Sequence, residues 1–323
     1  MALREQLGCA WRARHVLLAA HSGRMTAFMQ ALLDELGAKC ARISPGADAE
    51  TLCRAMTSAR ISALIVPQLD ALAPGQSIPE RIGALLRLLD EAREAGIPLV
   101  ILCSDAAVYR AQRSAWDLEE DAPLGGETAH GLCDSLLQLA ADGASRALLG
   151  DAVRTVIVRH LPCLGCGHIQ TAQYGAWCRA LLRGEVLQVA HPGAPGVFIH
   201  PLDVCCGALL LGARALLGDT QLAGAFNLGA DPENIAANRS AALRFIRENG
   251  GTRPIRETEP PYHGALPMLS GAKARFLCGA RCLIPAGEAL SSLLALERAA
   301  QAGPAAEQRH IREAAEAYLS RLP

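Results

Sequence analysis

The chain has 323 residues, which is enough for two domains or for one large α/β unit with an extension. Apolar residues make up 51% of the sequence and charged residues 20%, and the net charge of −1 excludes an electrostatic footprint for nucleic acid or an anionic membrane. The longest apolar run contains Arg214 and is too short to span a membrane, and residues 16–20 are too short for the core of a signal peptide.

Short apolar runs alternate with amphipathic segments through the first half of the chain. The predicted strands there are residues 15–20, 38–44, 61–66, 98–103 and 153–158. The predicted helices are residues 24–36, 49–58, 78–95 and 130–149. Such an alternation is typical of a parallel sheet that is covered by helices on both faces, with right-handed crossovers. We therefore predict an α/β fold with a doubly wound, Rossmann-like sheet.

After His160 the pattern changes, because Pro, Gly and Cys accumulate over residues 161–168. Further strands are predicted at residues 185–190 and 224–228, and further helices at 172–183, 201–217, 234–248, 285–302 and 305–321. The expected organisation is a Rossmann-like domain over residues 1–160, completed by about residues 197–230, and a smaller α/β substrate-type domain over residues 161–323.

Several short motifs follow one another in a consistent order. The motifs are Ser104-Asp105, PLGG at 123–126, RALLRG at 179–184, FIHPLD at 198–203, AFNLG at 225–229, KAR at 273–275, CG at 278–279 and EAL at 288–290. Together they resemble the extended short-chain dehydrogenase/reductase family of NAD-dependent epimerases and dehydratases, in particular its CDP-glucose 4,6-dehydratases. The resemblance spans roughly residues 15–302 and implies an extended short-chain dehydrogenase fold. The segment between Ser44 and Pro98 is shorter than the resemblance implies.

The resemblance implies NAD or NADP as the cofactor, held by a Thr-Gly-x-x-Gly-x-x-Gly turn whose glycines let the backbone approach the pyrophosphate. Residues 19–26 of this chain read AAHSGRMT, and Gly23 is the one glycine retained. The cofactor positions fall on Ala20, Ser22, Gly23 and Thr26. We expect a turn that no longer binds a dinucleotide, in a cleft partly filled by Arg24 and Met25.

The family's catalytic positions fall on Ser104, Asp105, His130 and Asp134. A Tyr acts as the base in this family and a Lys lowers the pKa of that Tyr, but His130 replaces the Tyr and Asp134 replaces the Lys. His130 could act as a base, whereas Asp134 reverses a charge. The dehydratases also carry a Lys or Glu where this chain has Ala106.

The substrate positions implied by the resemblance are Arg179, Arg183 and His200. The two arginines are candidates for phosphate contacts, and the alternative is that they form a solvated helix face. The family's substrate-binding Arg before the FIHPLD segment corresponds to Gly196.

Twelve cysteines are scattered without a disulfide framework, which indicates reduced thiols in a cytoplasmic protein. Cys163, Cys166 and His168 could form a zinc site with Cys205, Cys206 and His200 if the two groups met. Packed thiols are the preferred interpretation, and Cys133 beside His130 is an incidental pair, so we predict no metal site.

Three functions remain open at this point. The leading hypothesis is a degenerate relative without the usual catalysis, which acts as a binding or partner protein in a sugar-nucleotide or polysaccharide pathway. The second is an active NAD(P)-dependent sugar-nucleotide epimerase or dehydratase that uses His130 as its base. The third is a small-ligand or metal-binding module. The resemblance also implies a homodimer, or a heterodimer with a paralogue, formed through the helices at 78–95 and 130–149.

Overall fold

A computed structural model of the chain describes residues 2–20, 23–69, 77–109, 117–125, 135–137, 139–140, 143–144, 153–167, 171–219, 222–250, 254–259 and 268–323. The strands are β1 (His15–Ala19), β2 (Lys39–Ile43), β3 (Ile61–Val66), β4 (Leu99–Asp105), β5 (Arg154–His160), β6 (Leu187–Ala190), β7 (Pro195–Val197), β8 (Gly224–Leu228), β9 (Ile235–Ala237) and β10 (Ile255–Thr258). The helices are α1 (Leu3–Trp11), α2 (Arg24–Glu35), α3 (Ala49–Thr57), α4 (Ile78–Glu94), α5 (Ala172–Arg183), α6 (Pro201–Leu216), α7 (Asn238–Asn249), α8 (Ala272–Cys278), α9 (Ala286–Gln301) and α10 (Pro304–Ser320). Residues 135–137, 139–140 and 143–144 are also helical.

The central sheet has six strands in the order β2-β1-β3-β4-β5-β8, and all its pairings are parallel. Its inner strands are apolar runs whose side chains are buried on both faces, as in a sheet covered by two helical layers. Val16 and Leu18 of β1 join the core beneath α2 and α6, while Leu17 and Ala19 join the core beneath α3 and α4. The predicted doubly wound α/β fold is confirmed.

The shortness of the segment after Ser44 has a structural counterpart. The dinucleotide-binding order 3-2-1-4-5-6 places two strands beyond the first strand on one side, whereas β2 alone lies there in this sheet. Residues 44–60 are all described, and they contain helix α3 but no strand. β2 is therefore an edge strand, and four of its five residues are exposed or half-buried.

Two small sheets lie outside the central one. β6 pairs in parallel with β10, and β7 pairs antiparallel with β9. The helix predicted over residues 234–248 is wrong at its start, because residues 235–237 form β9 and α7 begins at Asn238. The Asn234 side chain donates to the carbonyls of Phe198 and Ile284, which holds this segment extended.

Two terminal helices complete the core. Helix α1 was not predicted, and it packs on α6 with the Trp11 Nε1 donating to the Leu209 carbonyl at 3.0 Å. Helix α10 packs on α2 and α9, and it buries Ile311, Ala315 and Tyr318. Within the described ranges, no helix has both the length and the apolar character needed to cross a bilayer.

Candidate functional site

The carboxyl ends of the parallel strands define one edge of the sheet, where ligands bind in open α/β folds. Ser104 and Asp105 are the last two residues of β4, and both are buried there. Asp105 pairs in register with His160 at the end of β5, so two titratable side chains belong to neighbouring strand ends. The His160 Nδ1 lies 2.8 Å from the Leu161 carbonyl. His130 and Asp134 lie outside the described residues, so the acid–base assignment stays a prediction.

A buried polar cluster lies beside these strand ends. Arg159 of β5 donates to the Tyr109 hydroxyl at 2.8 Å and to the Glu120 carbonyl at 2.7 Å. Tyr109 in turn donates to Asn227 Oδ1 at 2.6 Å. The Asn227 backbone N–H donates to the Glu120 carboxylate at 2.8 Å. The Asn227 amide also donates to the Leu118 carbonyl, so this residue ties β8 to the loop that follows β4.

Sequence reasoning did not identify the roles of Tyr109, Glu120 and Arg159. The available signal was Arg159 itself, a charged residue that directly follows the apolar run at 156–158 in β5. Such a residue needs buried partners, because an unpaired charge in a core is very costly. Burial raises the pKa of Tyr109, and the nearby Arg159 only partly offsets that effect. The Tyr109 hydroxyl is therefore held as a neutral hydrogen-bonding group.

The turn between β1 and α2 is the predicted cofactor position. The Ala20 N–H donates to the Ile43 carbonyl at 3.0 Å, which extends the pairing of β1 with β2. Gly23 precedes α2 in an extended conformation with φ of −174°, which any residue can adopt. Met25 and Thr26 are buried, with Met25 Sδ 3.5 Å from the Cys205 thiol. Ser22 lies outside the described residues.

Arg24, the first residue of α2, forms what we call the Arg24 cluster with Glu297 and Glu307. Its guanidinium donates to Glu297 of α9 at 2.5 Å and to Glu307 of α10 at 2.7 Å. The same group reaches the carbonyl of Gly165, in the loop after β5, at 3.3 Å. The cluster joins the turn after β1, the loop after β5 and the last two helices at the carboxyl edge of the sheet.

The electrostatics of the Arg24 cluster oppose a bound phosphate. Burial alone would lower the pKa of Arg24, but the bonds and charges of the two glutamates outweigh it and raise that pKa. The N-terminus of a helix attracts anions through its free N–H groups and its dipole. Here two carboxylates already lie at the first residue of α2. The described residues of this turn therefore do not fit the pyrophosphate of NAD or NADP.

The three predicted substrate residues lie in different environments. Arg179 of α5 is half exposed, and its guanidinium is 3.9 Å from the Glu297 carboxylate. Arg183 is exposed at the end of the same helix. His200 is buried and begins α6, where its Nδ1 accepts the Leu202 N–H at 3.1 Å and its Nε2 lies 2.9 Å from the Ser292 hydroxyl. Burial lowers the pKa of His200 to about 3, so the ring is neutral.

Gly196 of β7 is closely surrounded. A Cβ atom at this position would lie 2.4 Å from Asn238 Oδ1 and 2.5 Å from the Tyr174 hydroxyl. Those two atoms are themselves hydrogen-bonded at 3.0 Å. The position that corresponds to the family's substrate-binding Arg therefore has no room for a side chain.

Asp203 lies in the first turn of α6 and is buried. Its carboxyl group accepts the N–H groups of Leu283 at 2.8 Å and Ile284 at 3.4 Å, and the hydroxyl of Tyr318 at 2.8 Å. Burial raises the pKa of Asp203 to about 7, although these hydrogen bonds lower it. Asp203 therefore satisfies two backbone N–H groups and connects α6 to α10.

The described cysteines are free thiols, and six of them are buried. Cys163 is buried with its Sγ 3.8 Å from the His160 Nδ1, and burial raises the pKa of Cys163 well above its ordinary value. A raised pKa disfavours the thiolate that metal binding and nucleophilic attack require. In the part of the chain that the structure describes, no three His, Cys, Asp or Glu side chains are placed to hold a metal ion. His168 and Cys133 fall outside that part.

No family model matches the sequence, and no curated protein matches it. Solved structures do match the fold. An epimerase of Methanothermobacter thermautotrophicus is 14% identical, with a TM-score of 0.71 over 90% of this chain and 93% of its own. A UDP-glucose 4-epimerase of Thermus thermophilus, solved with NAD, is 16% identical, with a TM-score of 0.68 over 87% of this chain and 97% of its own.

A dTDP-glucose 4,6-dehydratase of Streptomyces venezuelae, also solved with NAD, is 17% identical, with a TM-score of 0.68 over 88% of this chain and 97% of its own. These similarities cover nearly the whole length of each enzyme, so the likeness includes both the central sheet and the region that follows it. The chain has the fold that these epimerases and dehydratases share, that of the extended short-chain dehydrogenases.

Proposed function

We propose that this chain is a non-catalytic relative of the sugar-nucleotide epimerases and dehydratases. It would act in the cytoplasm as a binding or partner protein of a sugar-nucleotide or polysaccharide pathway. The observation that carries this proposal is the Arg24 cluster. Carboxylates at the first residue of α2 disfavour the dinucleotide on which the chemistry of such enzymes depends.

The distribution of lysines supports the same proposal. The chain has two lysines, Lys39 and Lys273, and a dehydrogenase of this kind needs one beside its base. Lys39 begins β2, at the amino edge of the sheet, which is opposite the strand ends that carry Ser104 and Asp105. Lys273 donates to the Ala225 carbonyl near the start of β8, at 2.8 Å. Neither lysine lies at the carboxyl edge, and Asp134 occupies the family's lysine position in the sequence.

The partner that we propose is a second copy of the chain or an active paralogue. Leu136 and Leu139 support this proposal, because their exposed fractions are 37% and 52% on the helical segment that follows residue 134. Residues three apart on a helix share one face, and a contiguous apolar patch on such a face is typical of an interface. We propose that this segment and α4 form that interface. We also propose that residues 1–160, completed by about residues 197–230, form a Rossmann-like domain and that residues 161–323 otherwise form a smaller substrate-type domain. Light scattering that shows a monomer at high concentration would contradict the interface.

Two measurements on the purified chain test the function. Calorimetric titration with NAD and NADP should show no binding, and incubation with NAD and CDP-glucose, UDP-glucose or dTDP-glucose should give no product. The UDP-glucose 4-epimerase of Thermus thermophilus serves as the positive control. Turnover by the natural chain that is lost in His130→Ala would instead establish the active enzyme. Restoring His130→Tyr and Asp134→Lys together should not produce activity, because the turn would remain unsuited to the cofactor.

A further inference from the structure

We propose that Glu297 and Glu307 block a latent diphosphate-binding site at Arg24, so that the fold carries its own carboxylates in place of a bound anion. This inference rests on the proposed function and gives its physical cause. The ligand class that the blocked site would accept is inorganic pyrophosphate or a nucleotide with a diphosphate group.

The geometry provides both a cation and space. Arg24 is bound by two carboxylates, at 2.5 and 2.7 Å, and these bonds use the donors with which a guanidinium binds phosphate. A cavity of about 710 Å³ lies directly beside it, between α2, β2 and α10. Gly23, Arg24 and Glu307 all line that cavity. The cavity exceeds what a diphosphate needs, and its lining also includes Asp34, Arg42 and Arg312. Glu307 reaches Arg24 from the cavity wall, whereas Glu297 binds Arg24 without lining the cavity.

The charge balance of the site can be reversed by two substitutions. Arg24 pairs with Glu297 and Glu307, and Arg179 lies 3.9 Å from Glu297, so the formal charges of these four groups sum to zero. Glutamine has the size of glutamate but no charge. Replacing both glutamates therefore leaves two guanidinium groups near the N-terminus of α2, where the helix dipole also favours an anion.

The block is a fixed part of the fold. Glu307 belongs to α10, which buries Ile311 and Tyr318 and is anchored by the hydrogen bond from Tyr318 to Asp203. A second ion pair joins Arg321, just after α10, to Glu288 of α9 at 2.5 Å. Because these contacts lie far along α10 from Glu307, neutralising Glu307 should leave the helix in place.

The test is isothermal titration of inorganic pyrophosphate, ADP and NAD into the full-length chain and three variants. The first variant is Glu297→Gln with Glu307→Gln. The second adds Arg24→Met to that pair. The third, Glu248→Gln with Glu257→Gln, is the charge-matched control, because those glutamates pair with Arg244 and Arg239 at 2.8 and 2.6 Å on the surface. Thermal melts establish that each variant is folded.

We expect the Glu297→Gln, Glu307→Gln variant to bind pyrophosphate and ADP at least about tenfold more tightly than the natural chain, since like charges at a binding site repel an anion. Adding Arg24→Met should abolish the gain, and the surface control should show none. A folded double variant without the gain, or an equal gain in the control, overturns the proposed block. NAD binding by the natural chain would instead overturn the proposed function, so the two failures are distinguishable.

Discussion

Helices α2 and α6 both begin at the carboxyl edge of the central sheet, but different kinds of residue contact their N-termini. Helix α6 begins with His200, whose ring accepts the Leu202 N–H, and it carries Asp203 in its first turn. Helix α2 begins after Gly23, which has no side chain to accept a bond, and it has no acidic residue in its first turn. Its carboxylates come instead from residues 273 and 283 positions away.

This difference shows where the fold is fixed and where it has been altered. At the start of α6, residues of the same segment form the hydrogen bonds, and their role is structural. The start of α2 keeps the glycine of a phosphate-binding turn, and the side chain of its first residue is bound by tertiary contacts from α9, from α10 and from Gly165. Substitutions at α6 should therefore change stability, and substitutions at α2 should mainly change what can bind.

The largest expected effect is at α6. Asp203→Ala removes the acceptor of two backbone N–H groups and of the Tyr318 hydroxyl. Each buried donor left without a partner costs ~1–3 kcal/mol, so the loss of these three bonds should lower the free energy of unfolding at pH 5 by about 3–9 kcal/mol. Urea unfolding measures this change. An unchanged midpoint would contradict the structural role of Asp203.

The same residue predicts a pH dependence of stability. Burial raises the pKa of Asp203 to about 7 from an ordinary value of 3.8, so the folded chain binds this proton more tightly than the unfolded chain. The resulting stabilisation is complete below pH 3.8 and is lost as the pH rises through 7. The loss should approach about 4 kcal/mol by pH 8.

Asp203→Asn is the matched control for this pH dependence, because the amide does not titrate. Between pH 5 and pH 8, the natural chain should lose more of its free energy of unfolding than Asp203→Asn does. Equal slopes for the two proteins would show that the carboxyl group of Asp203 ionises in the fold as easily as in the unfolded chain.

A smaller effect is expected at α2. Arg24→Met leaves Glu297 and Glu307 as two partly buried like charges, whose side chains are 14% and 26% exposed. Breaking a buried pair is strongly destabilising, and partial exposure reduces the cost, so we expect about 1–2 kcal/mol in urea unfolding. Arg54→Met, which breaks the exposed pair with Glu50, should cost under about 0.5 kcal/mol. Equal costs for the two variants would remove the distinction between the cluster and a surface ion pair.

The local pattern of apolar and polar residues was sufficient to predict many of the strands and helices. The apolar runs that became β3 and β8 and the amphipathic segment that became α5 have the predicted bounds. Such elements are determined by residues that are close in the chain. Helix α1 was missed because its nine residues carry a weak apolar pattern and are stabilised by packing on α6.

The candidate site was less predictable for the same physical reason. The sequence shows that Gly23 is the one glycine left in the turn, and so indicates a changed cofactor position. It does not show which side chains meet Arg24, because Glu297 and Glu307 approach only after α9 and α10 have packed. The Tyr109–Arg159–Asn227 cluster likewise joins three separate segments.

The smallest expected effect is at Gly23, the residue that precedes α2. Gly23→Ser should stabilise the chain by a few tenths of a kcal/mol, because serine caps a helix slightly better than glycine does. The backbone of Gly23 is extended, and a Cβ there would come no closer than 3.7 Å to Gln68, so the substitution is free of strain. Thermal unfolding measures the change, with Gly196→Ala as the control. A Cβ at Gly196 would come within 2.4 Å of Asn238, so that substitution should be clearly destabilising.

In a turn that holds a dinucleotide, the glycine is needed for close approach of the backbone to the pyrophosphate. A marked loss of stability in Gly23→Ser would therefore mean that this position is more constrained than its geometry indicates.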